Sequence, residues 1–495
     1  MITLNRWTTL LAMLFALATH AVGAKPNIVH IVADDLGWKD VGFNGCTDIK
    51  TPNLDALAAG GAKFSQFYTL NICTPTRAAL MTGRYPFRYG LQTIAIPGPA
   101  GYGLDTTERL LPQTLADAGY TTAIIGKWHL GHADPKYWPK QRGFHYQYGA
   151  MIGELDYFTH SDAGVLDWFR DNQPVKEDGY TTQLLGADAV RFINRQTADR
   201  PFYLYLTFNA PHTPYQAPQD YIDRYRHIED PTRRTYAGMV ACLDDEIGKV
   251  VAALEAQGLR DNTLILFHSD NGGTRSAKFA GQMADLSKVK LPCDNGPYRE
   301  GKGTLFEGGL RVAALANWPG RIKPQTVDGI IHAVDIHPTF AALAGASTAQ
   351  SKPLDGMNVW DTIAEGSPSP RTEFVYNIEP FRAAMRQGDW KLIWRPLLPS
   401  TVDLYNLAED PSEKTNLAEA HPEKVAALKA RLESMAREAT EPLALKYIAK
   451  VGLAHGKPIL GAIDGDGAIK ADPNDPSITD EGVGTREGAP DSGSH

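Results

Sequence analysis

The chain has 495 residues, 43% of them hydrophobic and 21% charged, with a formal net charge of −8. That acidic balance argues against a nucleic-acid binder, and it obliges any anionic substrate to meet a locally basic pocket. The length allows two or three domains.

Residues 1–24 read as an export signal: Arg6 supplies a positive n-region, Leu10 to Ala18 an apolar run, and "AVGA" ending at Ala24 small residues for cleavage. The run is short for a membrane span, so the expectation is an exported chain starting near Lys25, without a span after cleavage. No Asn-x-Ser/Thr sequon occurs, which favours a periplasmic or secreted location over a lysosome. Four cysteines are few for an exported protein. Two disulfides among Cys46, Cys73, Cys242 and Cys293 are the ordinary expectation, although sequence does not pair them; if Cys73 is set aside for chemistry, an odd thiol remains.

Several apolar runs share one layout, a β-rich stretch with a polar cluster at its C-terminal end. "NIVHIVADDLG" delivers Asp34 and Asp35, and the amphipathic "TPNLDALAAGGAKF" follows. In "NICTPTRAALMTGRYP", Thr74 is a helix N-cap, Pro75 the first helical residue and Gly83 the C-cap. Cys73 therefore lies at a helix mouth, where free N–H groups and the macrodipole favour negative charge, with Arg77 one turn further in. Next come the helical "LLPQTLADAGY" and then "TTAIIGKWHLG", which delivers Lys127 and His129. "PFYLYLTFNAPHTPY" ends near His212. The long amphipathic "YAGMVACLDDEIGKVVAALEAQG" precedes "TLILFHSDNGG", with His268, Asp270 and Asn271, and "YREGKGTLFEGG" carries Lys302.

Strands alternating with helices predict an α/β fold with a largely parallel sheet covered on both faces. Ligands bind such sheets beyond the carboxyl ends of the strands, so these clusters should share one pocket. A second unit begins near residue 367, after "DTIAEGSPSP". "FRAAMRQGDWKLIWRP" predicts a hairpin turning at Gly388-Asp389, and "HPEKVAALKARLESMAR" a helix at about 421–437. The expected division is a signal peptide at 1–24, a catalytic α/β domain at 25–366, a small α+β domain at 367–465 and a mobile tail at 466–495.

Adjacent carboxylates at Asp34 and Asp35 repel unless a cation sits between them; the alternative has one capping a helix and the other solvated. Asp270-Asn271-Gly272 alone would read as a turn. Together the two strand ends offer three carboxylates and an amide oxygen, hard donors that suit Ca²⁺ or Mg²⁺ rather than zinc. Alone, Lys127 and Lys302 would be solvated lysines, and His129 and His212 structural histidines. Aromatic and polar segments such as "YWPKQRGFHYQYGAMIGELDYFTH" and "NIEPFR" are candidates to line a saccharide cleft.

The order and content of these clusters resemble one family closely. Cys73-Thr74-Pro75-Thr76-Arg77, followed by Thr82-Gly83-Arg84, is similar to the C-x-P-x-R signature of the type I, formylglycine-dependent sulfatases. "ADDLGWKDVGFNG", "GKWHLG", "APHTPY", "SDNGG" and "GKGTLFEGG" are arranged as in arylsulfatase B-like members, over about Asn27 to Leu417. The resemblance implies an alkaline-phosphatase-like fold and removal of sulfate from a sulfated oligo- or polysaccharide. It implies that a formylglycine-generating enzyme oxidises Cys73 to Cα-formylglycine, whose hydrate is the nucleophile. It implies one ion, Ca²⁺ with Mg²⁺ as the alternative, on Asp34, Asp35, Asp270, Asn271 and the modified Cys73. Asp270 would also accept the proton of the attacking hydroxyl, and Arg77 would hold the metal-side carboxylates and the nucleophile in place. Lys127, His212 and Lys302 would bind the sulfate, His212 would protonate the leaving oxygen, and His129 would act as base in sulfate release. The rival readings are a phosphate or phosphonate monoester hydrolase of the same superfamily and a non-catalytic sulfated-glycan-binding relative.

Overall fold

The computed structural model describes residues 25–275 and 291–454, so the expected signal segment and tail lie outside the described residues. At its centre is a ten-stranded mixed sheet. Five neighbouring strands run parallel, in the spatial order Thr263–Ser269, Asn27–Ala33, Phe202–Thr207, Thr121–Gly126 and Tyr146–Gly149. Antiparallel strands extend it on both sides, Ala314–Asn317 against Thr263–Ser269 and Phe169–Arg170 against Tyr146–Gly149. The Asn27–Ala33, Phe202–Thr207 and Thr263–Ser269 strands are buried along their whole length, which is why their sequences are apolar almost throughout rather than alternating.

Two hydrophobic layers cover the sheet. One includes Ala78, Leu80 and Met81 of the Cys73–Thr82 helix with Phe340 of the Ile336–Leu343 helix. The other includes Leu185 and Phe192 of the Thr181–Ile193 helix with Leu243 and Val250 of the Pro231–Ala256 helix. Register then sets the site: Ala33 pairs with Ser269, Val32 with Thr207, and Thr207 with Gly126. The residues that follow these strands therefore emerge side by side at one edge of the sheet.

A separate four-stranded antiparallel sheet runs through Glu373–Ile378, Ala383–Gln387, Trp390–Arg395 and Thr401–Asn406. Its central hairpin turns at Gly388 with φ 56°, as expected, and the Pro422–Ala436 helix covers it. The observed fold is thus a large, mostly parallel sheet between helices, plus a small α+β unit. Among the described residues no helix is long and apolar enough to cross a membrane.

Two expectations are corrected. The signature helix starts at Cys73, with Ile72 as its cap, not at Pro75 with Thr74 as the cap. Pro75 sits third, still among the first-turn residues whose N–H groups have no partner within the helix. The disulfide reading fails, because all four thiols are free. Cys242 is buried within the long helix, Cys293 lies against the Asp35 carbonyl at 3.8 Å, and Cys46 donates to Asp48 Oδ1.

Candidate active site

Backbone hydrogen bonds knit the strand ends together. Asp34 N–H donates to Ala210 O, Asp270 N–H to Ala33 O, and Lys127 N–H to Thr207 O. Lys302 reaches the same place from a loop whose backbone bonds to Gly273 O, and Gly303 N–H donates to Asn71 O, two residues before Cys73. The Glu307–Leu310 turn behind it accepts Gly272 N–H at Gly309 O. The structure accordingly gathers Asp34, Asp35, Cys73, Arg77, Lys127, His129, His212, Asp270, Asn271 and Lys302, residues from loops far apart in sequence, and all are almost fully buried.

Arg77 is the organising cation. It donates to Asp270 Oδ2 from Nε at 3.2 Å and Nη2 at 2.9 Å, lies 3.5 Å from Asp34 Oδ2, and donates to Lys127 O at 3.0 Å. Lys127 Nζ stands 2.5 Å from Asp34 Oδ2, an ion pair whose angles do not make a hydrogen bond. Lys302 Nζ donates to Asp35 Oδ2 at 3.0 Å and to His212 Nε2 at 2.9 Å. His212 Nδ1 lies 2.7 Å from the Thr213 carbonyl, so its partners assign the neutral tautomer protonated at Nδ1. Three carboxylates (Asp34, Asp35, Asp270) thus face three fixed cations (Arg77, Lys127, Lys302).

Burial and charge set the protonation states. Burial alone would raise Asp35, but Lys302 and His212 hold it well below the usual carboxylate range. Burial and the Asp34 charge push Asp270 up to about 6 against the pull of Arg77. Burial drives Cys73 up to about 11 despite Lys127 and Lys302, so the unmodified side chain is a thiol at neutral pH and a poor nucleophile. Burial, then Lys127 and Arg77, hold His129 well below its ordinary value. Its Nε2 lies 3.1 Å from Ile96 O and its Nδ1 has no partner, which leaves a buried neutral base. Asp35 and His129 both adopt positive φ, 60° and 57°, a strained conformation for non-glycine residues.

The donor set fits a hard divalent cation. Both Asp34 oxygens and Asn271 Oδ1 are buried without a hydrogen-bond partner, while Asn271 Nδ2 donates to Asp35 Oδ1 at 2.7 Å and so turns its oxygen away from that carboxylate. One atom each of Asp34, Asp35 and His212 lie within 4.8 Å of one another. Lys302 already donates to the His212 ring nitrogen, which leaves the oxygens as the better donors.

Three residues absent from the sequence reading complete the site. Thr274 donates to Asp35 Oδ2 at 2.8 Å. The Tyr157 hydroxyl bonds the carbonyls of Asn209 and His212 at 2.7 and 2.9 Å, fixing the histidine loop. Asn209 precedes that loop with a buried amide. "NAPHTPY" and the aromatic "GELDYFTH" hint at Asn209 and Tyr157, and Thr274 lies just past "SDNGG", but none of these segments names a partner.

A family model described as Sulfatase matches residues 26–346, and one described as N-sulphoglucosamine sulphohydrolase, C-terminal, matches residues 300–439. Arylsulfatase J of Mus musculus is 35% identical over 391 residues, 77% of this chain. The match spans 63% of that relative's length. N-acetylgalactosamine-6-sulfatase of Mus musculus is 36% identical over 391 residues, 74% of this chain and 72% of that protein. The crystal structure of Ps i-CgsB in complex with k-i-k-neocarrahexaose superposes with a TM-score of 0.76 at 34% identity, covering 85% of this chain and 94% of that one.

Proposed function

The chain belongs to the sulfatase family, and we propose that it hydrolyses sulfate monoesters on a saccharide, using an oxygen nucleophile made from Cys73 beside one divalent cation. The observation that carries this reading is the position of Cys73. It is the first residue of a ten-residue helix, buried within the field of Lys127 and Lys302, with a thiol that stays protonated. Such a thiol is a poor nucleophile, whereas a hydrated formylglycine there presents hydroxyl groups. Relatives named as sulfatases, and a neighbour solved with k-i-k-neocarrahexaose, support sulfated sugar as the substrate class.

The ion, Ca²⁺ with Mg²⁺ as the alternative, would be held by Asp34, Asp35, Asp270, Asn271 and residue 73. When bound it supplies positive charge that favours the ionised nucleophile and a developing oxyanion. Arg77 fixes Asp270 and Asp34 against rearrangement. Lys127 and Lys302, which pair with Asp34 and Asp35 here, are the donors for the sulfate oxygens. One hydroxyl of hydrated residue 73 gives its proton to the Asp270 carboxylate and attacks sulfur in line, and the bond from sulfur to the sugar oxygen breaks. The departing oxygen needs a proton. His212 is unprotonated at Nε2 in the free enzyme, so the Lys302–His212 couple, joined by one hydrogen bond, is the proton source. The second hydroxyl then loses its proton to His129 Nδ1, the carbon–oxygen bond to sulfate breaks, and the aldehyde returns for rehydration.

The same superfamily includes phosphonate monoester hydrolases, and the crystal structure of the Agrobacterium radiobacter enzyme shares the fold alone, with a TM-score of 0.59 at 21% identity over 85% of this chain and 97% of that one. Three fixed cations facing three carboxylates leave the protein part of the site neutral, so a bound divalent ion brings it to a modest positive charge suited to a sulfate monoanion. The test compares kcat/KM on 4-nitrophenyl sulfate and 4-nitrophenyl phosphate for enzyme whose residue 73 is verified by mass as the aldehyde. Preference for the sulfate is expected, and preference for the phosphate overturns the reading.

A further inference from the structure

The unpartnered buried atoms at this pocket fall on Asp34, Lys127, His129 and Asn271, all with roles assigned above, on the Tyr205 hydroxyl, which lies in the field of Arg77, Asp270 and Asp34, and on Asn209, which has no role so far. Among the described residues, Asn209 is the only buried amide side chain with neither its oxygen nor its nitrogen hydrogen-bonded, and it is just 2% exposed. A buried unpaired amide is destabilising, and a core position would not retain one when an apolar side chain of similar size would do.

Its place in the chain says where it points. Along the Phe202–Thr207 strand, Phe202, Leu204 and Leu206, with Phe208 just after it, pack in the layer of the two long helices, while Tyr203 and Tyr205 pack in the layer of the Cys73–Thr82 helix. Thr207 is on the latter side, its hydroxyl donating to Lys127 O. The chain stays in register through Phe208, whose N–H donates to Val32 O, so Asn209 falls on the side of Cys73, Arg77 and Lys127. Its backbone is clamped, the carbonyl accepting from His212 N–H and from the Tyr157 hydroxyl.

We propose that Asn209 is a substrate-contact residue that reads the sugar around the sulfate ester. This rests on the saccharide sulfatase reading. A sulfate group offers only acceptors, and Lys127 and Lys302 already stand ready to supply donors. The Asn209 carbonyl oxygen requires a donor, which a free hydroxyl beside the sulfated carbon provides and an aryl sulfate lacks. The Nδ2 group donates in turn to an ester or ring oxygen. Asn209 therefore selects for sulfate on a hydroxylated ring over sulfate on an arene, since the unmatched amide stays unpaired with the wrong substrate.

The experiment measures kcat/KM for wild type, Asn209→Leu and Asn209→Ala on 4-nitrophenyl sulfate and on the 4- and 6-sulfates of galactose and N-acetylgalactosamine, together with melting temperatures. On the sulfated sugar that wild type uses best, both variants should lose about tenfold or more beyond any loss on 4-nitrophenyl sulfate. Asn209→Leu should melt at the same temperature as wild type or higher, as a structural amide would not. Equal losses on both substrate types, no loss on either, or a lowered melting temperature for Asn209→Leu would overturn the proposal while leaving the sulfatase reading intact. Wild type inactive on the sugars, or on all the sulfates, would instead overturn the underlying reading, and this proposal with it.

Discussion

Replacing Lys391 with methionine tests how the small sheet supports the site. Lys391 Nζ is fully buried, 3.0 Å from Glu307 Oε1 and 2.8 Å from Glu413 Oε1. Glu413 Oε2 accepts the Glu307 N–H at 2.6 Å, and the Tyr68 and Tyr376 hydroxyls each donate to Glu307 at 2.8 Å. Glu307 begins the turn that bonds the Asn271 loop and follows the Lys302 loop, so this cluster ties the second sheet to the active site. Burial would raise Glu307, but Lys391, Arg311 and Arg386 hold it down at about 2, while burial pushes Glu413 up to about 7 against Lys391. The lowered Glu307 gives stability above its unfolded pKa that is lost as pH falls through 2. The raised Glu413 gives stability that is full below its unfolded pKa and lost as pH rises through 7, so the pair stabilises most between these limits. Removing the ammonium leaves Glu413 without a cation and Glu307 to Arg311 and Arg386 alone, and should cost about 3–5 kcal/mol. It also raises Glu413 further, so above pH 7 the variant keeps losing stability where wild type has stopped, by about 1.4 kcal/mol per pH unit. Urea unfolding at pH 6 and pH 8 reads both effects. A loss below about 1 kcal/mol, or one as large at pH 6 as at pH 8, would refute the reasoning.

Cys73→Ser should release one sugar per active site and then stop, because a serine sulfate ester has no second hydroxyl with which to expel sulfate; sustained turnover in rapid-quench assays would exclude the formylglycine route. In the wild-type enzyme the peptide containing Cys73 should be about 18 Da lighter than its thiol form. Stripping divalent ions with a chelator should lower the melting temperature, and Ca²⁺ should restore it, adding about 2.7 kcal/mol of stability at a hundred times its Kd. Coincident melting curves with and without the ion would argue against metal binding by Asp34 and Asn271.

What could be read from the chain, and what could not, divides along a physical line. Asp34, Lys127, His212 and Asp270 follow apolar runs, and a fully buried parallel strand advertises itself by composition, so the convergence of its end residues is legible. The residues that hold these side chains in place carry no such mark. Thr274 on Asp35 and Tyr157 behind His212 act through contacts that exist only once strands distant in sequence lie in register. Thr74-Pro75 is a strong local signal that puts the helix start two residues late; tertiary contacts override it, since the Thr74 hydroxyl donates to His129 O instead of capping the helix. Free thiols were equally invisible, since pairing depends on distance rather than count.

The lysines show the same division most sharply. Their number and positions can be counted from the chain, but their partners cannot: each lies against an aspartate of the proposed metal set, Lys127 on Asp34 and Lys302 on Asp35. A divalent ion and an anionic substrate therefore draw on opposite halves of pairs that neutralise one another in the free protein. Binding of the ion to the carboxylates weakens their hold on the ammonium groups, so ion and substrate should each strengthen binding of the other. That coupling follows from two distances within the fold, and it makes the pocket receptive to a monoanion in a chain whose net charge would repel one.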